Sequence, residues 1–330
     1  LISNTRKNQN IIMDLRLSIY GTSNGFDLLV NWFFKNNLDK LTNVNWYIQI
    51  PRVPQYLYRD GLNSTDDKFK AIMEWFDNCF EPILSAYLNK DKRKMKFLSL
   101  VKGFDSVDNE GEPDISYYNN LETQINNSQI KKRLDANNNP LTYSMYIFIM
   151  WKYISHLNYV VKGIRTSFKF KPHSGELGCL HHLLTTYLFC DSICHGINLI
   201  DSNSSKKDNI VDVIKRNKNN VLLYLYVKDQ VGCALAPISN NYLCRKYNCL
   251  HLDLLFNLGL NMSLGTDDPL MFHLTNNPII EEFSMAKTFY NFSLYDMMEL
   301  VNNSYIIGDS KYRLKLNKRA KLRKKLLKLL

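Results

Sequence analysis

Three stretches of this chain place titratable side chains where a β-like run stops. The apolar segment Leu260 to Leu264 ends just before Thr266-Asp267-Asp268-Pro269. Phe168-Lys169-Phe170-Lys171 runs into Pro172-His173-Ser174-Gly175-Glu176, and Ile193-Cys194 runs into His195-Gly196. Imidazole and carboxylate groups are ligands for a borderline metal such as zinc, and a neighbouring carboxylic acid can move protons. Taken singly, each signal is weak: a histidine can be a hydrogen-bonded core residue, and Asp is a common turn and helix-start residue. Together, each after its own β-like run, they point to a metal ion with acid–base groups beside it.

Elements that could position these groups can be read along the chain. Seven β-like runs are Leu15–Tyr20, Val44–Ile50, Phe97–Phe104, Phe168–Lys171, Ile193–Leu199, Gly232–Pro237 and Leu260–Leu264. Between them, Gly25 to Leu38 and Phe69 to Tyr87 carry apolar residues at helical spacing, and Leu180 to Cys190 and Leu250 to Leu258 add shorter helices. Strands alternating with helices predict a parallel sheet, either closed into a (β/α)₈ barrel or left open and doubly wound. Titratable residues gathered at strand C-termini suit both arrangements.

Composition narrows the class. A chain of 330 residues with 45% hydrophobic and 22% charged residues has a globular profile and can bury a sizeable core. No run of about 18 apolar residues exists, so no membrane span is expected. The N-terminus lacks the apolar core of a signal peptide. Seven cysteines with no C-x-x-C pair read as reduced thiols in the cytoplasm, with Cys179, Cys190, Cys194 and Cys233 as core fillers. The net charge is +11, but residues 311–330 hold ten basic side chains and no acidic one, so the rest of the chain carries only +1. That distribution divides the chain into a folded body, 1–310, and a basic C-terminal tail, 311–330. It does not predict a nucleic-acid-binding face. The Asn-rich stretches 119–139 and 201–220 read as surface insertions.

In the order His-x-Gly-Glu, His-Gly, Thr-Asp-Asp-Pro, the site residues resemble the zinc-dependent adenosine and AMP deaminase family. Further stretches resemble the AMP deaminases in particular. They are Leu15-Arg16-Leu17-Ser18-Ile19-Tyr20-Gly21, Trp46 to Arg52, Gly103-Phe104-Asp105-Ser106-Val107-Asp108, Pro237-Ile238-Ser239-Asn240-Asn241 and Asp267 to His273 followed by Glu281-Glu282-Phe283-Ser284. The resemblance covers about Asp14 to Ser304. It implies a (β/α)₈ TIM-type barrel of the metal-dependent hydrolase kind, deaminating AMP to IMP and ammonia in purine nucleotide metabolism, as a homo-oligomer and usually a tetramer. It implies zinc held by His173 and Asp267, with Glu176 protonating the purine ring nitrogen and His195 orienting the attacking oxygen and sharing in its deprotonation. Gly175, Glu176, Asp268, Pro269, Leu270 and Met271 would meet the substrate, and His182, Asn240, Asn241 and Glu282 would stand behind them.

Departures from the family pattern leave alternatives open. The family's first strand carries a His-x-His pair that supplies two metal ligands, and this chain contains no His-x-His. The resemblance therefore implies an N-terminally incomplete barrel that lacks its first strand, and a chain that alone binds zinc poorly and is inactive. Lys171 stands where the family usually has arginine, Gly265 stands where serine is common, and the tail after Ser310 does not resemble the family. An inactive deaminase-like remnant serving as a structural or binding subunit, and a deaminase of free adenosine, are the competing readings.

Overall fold

A computed structural model describes residues 12–52, 65–107, 110, 142–178, 180–200 and 220–308. The chain divides into two compact units, residues 2–171 and 172–330. The basic tail, the two Asn-rich insertions apart from Asn220, the extreme N-terminus and Cys179 lie outside the described residues.

In the first unit, strands β1 (Met13–Ser18), β2 (Val44–Pro51), β3 (Val101–Val107) and β4 (Lys169–Phe170) pair in parallel in chain order. Crossovers run through helices α1 (Gly25–Lys35), α2 (Thr65–Leu88), α3 (Lys92–Leu100) and α4 (Tyr143–Val160). Strand alternation divides the sheet into two faces. Trp46, Ile48, Ile50 and Phe104 are buried together with Phe26, Val30, Phe33, Phe76 and Phe97 of the helices. Edge-on rings lock this layer: Phe33 meets Trp46 at 5.1 Å and Phe97 at 4.8 Å between centroids. Gly103 marks the closest approach of neighbouring strands, since a Cβ there would lie 2.2 Å from the Lys169 carbonyl oxygen. The alternate positions carry a polar network. Asp105 accepts from Arg16 Nε at 2.6 Å, Gln49 Nε2 at 3.1 Å and the Ser106 N–H at 2.7 Å. Asp14 accepts from Asn45 at 2.9 Å and from Lys171 at 3.2 Å. Burial pushes the Lys171 ammonium down, and Asp14 and Tyr47 together outweigh that, leaving it above its ordinary value.

The second unit repeats the pattern with β5 (His173–Ser174), β6 (Ser192–His195), β7 (Gly232–Leu235) and β8 (Met262–Leu264), again parallel and in chain order. Its helices are α5 (Leu180–Phe189), α6 (Val221–Lys228), α7 (Pro237–Leu243), α8 (Leu252–Asn257), α9 (Pro269–Phe272), α10 (Pro278–Tyr290) and α11 (Leu294–Gly308). Leu183, Ile193, Cys233, Leu235, Leu255, Met262 and Leu300 belong to one apolar cluster. Each such side chain contributes roughly 1.5–3 kcal/mol on burial. Parallel neighbours that follow chain order without reversal are the pattern of a β/α-barrel wall; a doubly wound sheet reverses order at its switch point.

Three element assignments differ from the sequence reading. Phe97 to Leu100 is the end of α3, not the start of a strand, because the Asp91 carboxylate accepts the Arg93 and Lys94 N–H groups and starts a helix there. The fourth β-like run, Phe168–Lys171, holds only the two-residue strand β4, and β5 begins past Pro172, which has no N–H to give to a ladder. The run from Ile193 stops at His195, where Gly196 turns left-handed (φ 91°) into a 3₁₀ turn over Ile197–Leu199. Tyr143 to Tyr153, a candidate oligomer face in sequence, is mostly buried within its own unit: Tyr143, Tyr146, Ile147, Met150 and Trp151 are all inside. Cys190, Cys194 and Cys233 are buried as expected.

Candidate metal and acid–base site

The second unit brings its titratable residues together at the C-terminal ends of its strands. His173 sits in β5, His195 closes β6, and Asp267 follows β8. Pairing places Ser174 opposite His195, and the imidazole rings of His173 and His195 lie 5.1 Å apart. His173 Nε2 is 3.9 Å from Asp267 Oδ1. One ligand atom from each of His173, His195 and Asp267 falls within 4.8 Å of the others, the group among the described residues able to share a metal ion.

Backbone strain accompanies this gathering. His195 has φ 68° and Asp267 φ 50°, both left-handed for residues that carry a Cβ. Such positions cost on the order of 1–3 kcal/mol each and persist where the surroundings over-determine them. Gly175 is also left-handed (φ 77°), and a Cβ there would lie 2.7 Å from the Leu183 side chain, so the fold itself requires glycine at this point.

One short helix ties the groups to one another. Pro237 opens α7 after β7, and its next three residues each hold a different partner. The Ile238 N–H donates to Glu282 Oε2 at 3.2 Å, and the Ser239 hydroxyl donates to Asp267 Oδ2. The Asn240 amide nitrogen lies 2.8 Å from Glu176 Oε1 and 2.9 Å from His195 Nδ1. His195 Nε2 is 3.8 Å from the other Glu176 oxygen. Behind this layer, His273 Nε2 meets Glu282 Oε1 at 2.9 Å, while Glu281 accepts the Leu274 and Thr275 N–H groups at 3.2 and 2.6 Å. The loop carrying Asp267 is thus anchored at both ends.

Electrostatics follow from burial and these partners. Burial pushes His195 below its ordinary value, more than the Glu176 carboxylate lifts it. Burial also raises the Asp267 carboxyl, but the hydrogen bond from His173, the charge of His195 and the Ser239 hydroxyl overcome it and hold the group well below the usual carboxylate range. Glu282 goes the other way, pushed up to about 8 by burial. Imidazole nitrogen and ionised carboxylate fit zinc as a donor set. His195 Nε2 and Asn240 Oδ1 are buried with no hydrogen-bond partner among the described residues, so the site retains polar capacity that the protein does not use itself.

Of the residues singled out in sequence, His173, Glu176, His195, Asn240 and Asp267 converge, and Glu282 supports them. Asp268 is exposed, and Leu270 and Met271 of α9 are 90% and 74% exposed, with Pro269 between. Asn241 turns elsewhere and accepts the Tyr247 N–H at 3.2 Å. His182 is buried on α5. Sequence reasoning missed Ser239 and His273, though both lie inside stretches quoted for their family likeness. It also treated His195 as purely catalytic, whereas geometry puts it within reach of the same ion.

A parallel β/α wall with two histidines and an aspartate gathered at its strand C-termini is that of a barrel-type protein with residues able to share a metal ion. Comparison makes the class specific. The sequence profile of the AMP deaminase family matches residues 2–319. The chain is 35% identical over 295 residues to an AMP deaminase of Arabidopsis thaliana, covering 88% of this chain and 31% of that protein. It is 34% identical over 299 residues to that of Saccharomyces cerevisiae (89% and 33%), and 34% identical to AMP deaminase 1 of Homo sapiens (88% and 35%). The chain belongs to the AMP deaminase family, and spans about a third of the length of these relatives. The match reaches further than the motifs suggested, extending to residue 319 and so into the basic tail. Among solved structures, an adenine deaminase from Arthrobacter aurescens aligns with a TM-score of 0.44 at 14% identity, over 93% of this chain and 80% of that one. Among the described residues, no helix is long and apolar enough to cross a membrane.

Proposed function

We propose that this site deaminates AMP hydrolytically, giving IMP and ammonia, with zinc as its metal. The observation that carries this is the joint placement of Glu176 and His195, 3.8 Å apart and bridged by one Asn240 amide, beside the His173–Asp267 pair. His173 and Asp267 would hold the ion. When bound, zinc supplies Lewis acidity that brings the pKa of a water toward about 7. Glu176 donates a proton to the ring nitrogen next to the amino-bearing carbon, which makes that carbon accept the water's oxygen. His195 orients that oxygen and takes part in carrying its proton away. The C–N bond to the amino group then breaks and ammonia leaves, so AMP and water balance IMP and ammonia. Gly175 and the Asp268-Pro269-Leu270-Met271 segment border the same strand ends and would contact the base. The free thiols of the described cysteines agree with a reducing compartment such as the cytoplasm.

The test is ammonia release from AMP, adenosine and adenine by the zinc-supplied protein. The chain alone, which has no His-x-His, is expected to turn over AMP negligibly; joined to a segment that carries His-x-His, it is expected to turn over AMP well above adenosine. Preference for adenosine would move the reading to a nucleoside deaminase. No release from any of them, with zinc bound, would leave an inactive family member.

A further inference from the structure

Asn240 is almost unique at this site in touching two reacting groups at once without being one of them. Its side chain is fully buried. Its amide nitrogen lies 2.8 Å from Glu176 Oε1 and 2.9 Å from His195 Nδ1, while its oxygen has no partner among the described residues. An amide NH₂ only donates, and it has two hydrogens, one for each of these neighbours. A ring nitrogen facing a donor at that distance must present its lone pair. Nδ1 of His195 is therefore bare, and the proton of the ring belongs on Nε2.

Nε2 is the atom that matters to the site. It is buried, lacks a partner among the described residues, lies 3.8 Å from Glu176 Oε2 and belongs to the ring that reaches the His173–Asp267 group. With a hydrogen on it, Nε2 gives a hydrogen bond; without one, it gives a lone pair to a cation. We propose that Asn240 is a positioning residue which, by donating to Glu176 and to Nδ1 together, holds His195 as its Nε2–H tautomer. The ring is thereby kept as a hydrogen-bond donor toward the reacting oxygen and is withheld from the ion as a third ligand. The helix that carries Asn240 also carries Ser239, whose hydroxyl fixes Asp267, so one turn of chain separates the ligand role from the donor role. The inference rests on the reading of Glu176 and His195 as reacting groups.

The experiment is long-range ¹H–¹⁵N correlation on ¹⁵N-histidine-labelled protein, before and after zinc, with turnover of AMP measured alongside. In the wild type, His195 is expected with Nε2 protonated and Nδ1 bare, and zinc should leave Nε2 protonated. Asn240→Asp replaces the donor with a group that only accepts, so the proton should move to Nδ1 and Nε2 should become available to the ion. Its kcat should fall by about 10²–10⁴-fold, as general acid–base losses and wrong-tautomer variants do, with KM changing far less. A wild-type ring carrying its proton on Nδ1, or one that binds zinc through Nε2, would overturn the inference without any variant having to fold. An unchanged tautomer in Asn240→Asp would also overturn it. Because the tautomer is read separately from turnover, a protein that shows Nε2–H yet deaminates nothing defeats the proposed activity and not the role of Asn240.

Discussion

Each of the two sheets carries a polar cluster, and the two clusters are bonded in different ways. In the first unit the polar groups are matched to one another: three donors converge on Asp105, and Asp14 is shared by Asn45 and Lys171. In the second unit the two ion pairs are looser, and two buried atoms are left over. His173 and Asp267 stop at 3.9 Å, His195 and Glu176 at 3.8 Å, and buried His195 Nε2 and Asn240 Oδ1 have no partner among the described residues. A saturated buried network stabilises one arrangement of a sheet. Unsatisfied buried atoms cost stability, and they persist where something outside the chain completes them. Orphaned buried atoms are not confined to the second unit, since Trp46 Nε1 and Trp75 Nε1 of the first have no partner among the described residues either, so the contrast lies between these two clusters and not between the units.

Replacements that act on each cluster can break this contrast. The largest effect is expected at Glu176→Gln, which keeps the shape and one acceptor for Asn240 but has no proton to transfer. Turnover should fall by about 10²–10⁴-fold, while zinc content and unfolding in urea stay near wild type. Near-normal turnover would remove Glu176 from the reaction.

Arg16→Met in the first unit should do the reverse. It removes the charged Arg16 partner of Asp105, which is fully buried and also accepts from Gln49 and the Ser106 N–H. A loss of about 3 kcal/mol in urea unfolding is expected, the low end of the cost of orphaning a buried charge, with zinc binding retained. A variant as stable as wild type would mean that the ion pair is not what organises that sheet face.

The most gradual effect, spread over several pH units, sharpens the comparison within the second unit. Burial holds Glu282 protonated up to about 8, with Asp267 and Glu281 pushing the same way and the Ile238 N–H opposing. The folded state thus keeps a proton that the unfolded chain releases near 4.5. Stability should fall as pH rises from about 4.5 toward about 8, by at most about 1.4 kcal/mol per pH unit. Glu282→Gln should flatten that slope in urea midpoints taken across the window. An unaltered slope would show that the carboxyl is charged throughout.

How much of this was legible beforehand depended on what kind of signal each part left. Strand ends followed by His173, His195 and Asp267 could be read because apolar runs stop abruptly there, and the family likeness ordered them. The helical end of α3 could not, because Phe97 and Leu98 are as apolar as a strand and the deciding signal was the Asp91 cap upstream. Ser239 escaped for a different reason. A serine in a polar turn is ordinary in sequence, and only the parallel order of β7 and β8 puts its hydroxyl on Asp267. The contact between Asn240 and Nδ1 of His195 likewise belongs to no local pattern, since the two lie 45 residues apart.

The left-handed backbone at His195 and Asp267 sets two demands against each other. At φ 68° and 50° the chain turns at the end of β6 and just after β8. Glycine at either position would ease the torsion while removing the titratable group, so at these two residues backbone comfort and the chemistry of the site pull in opposite directions.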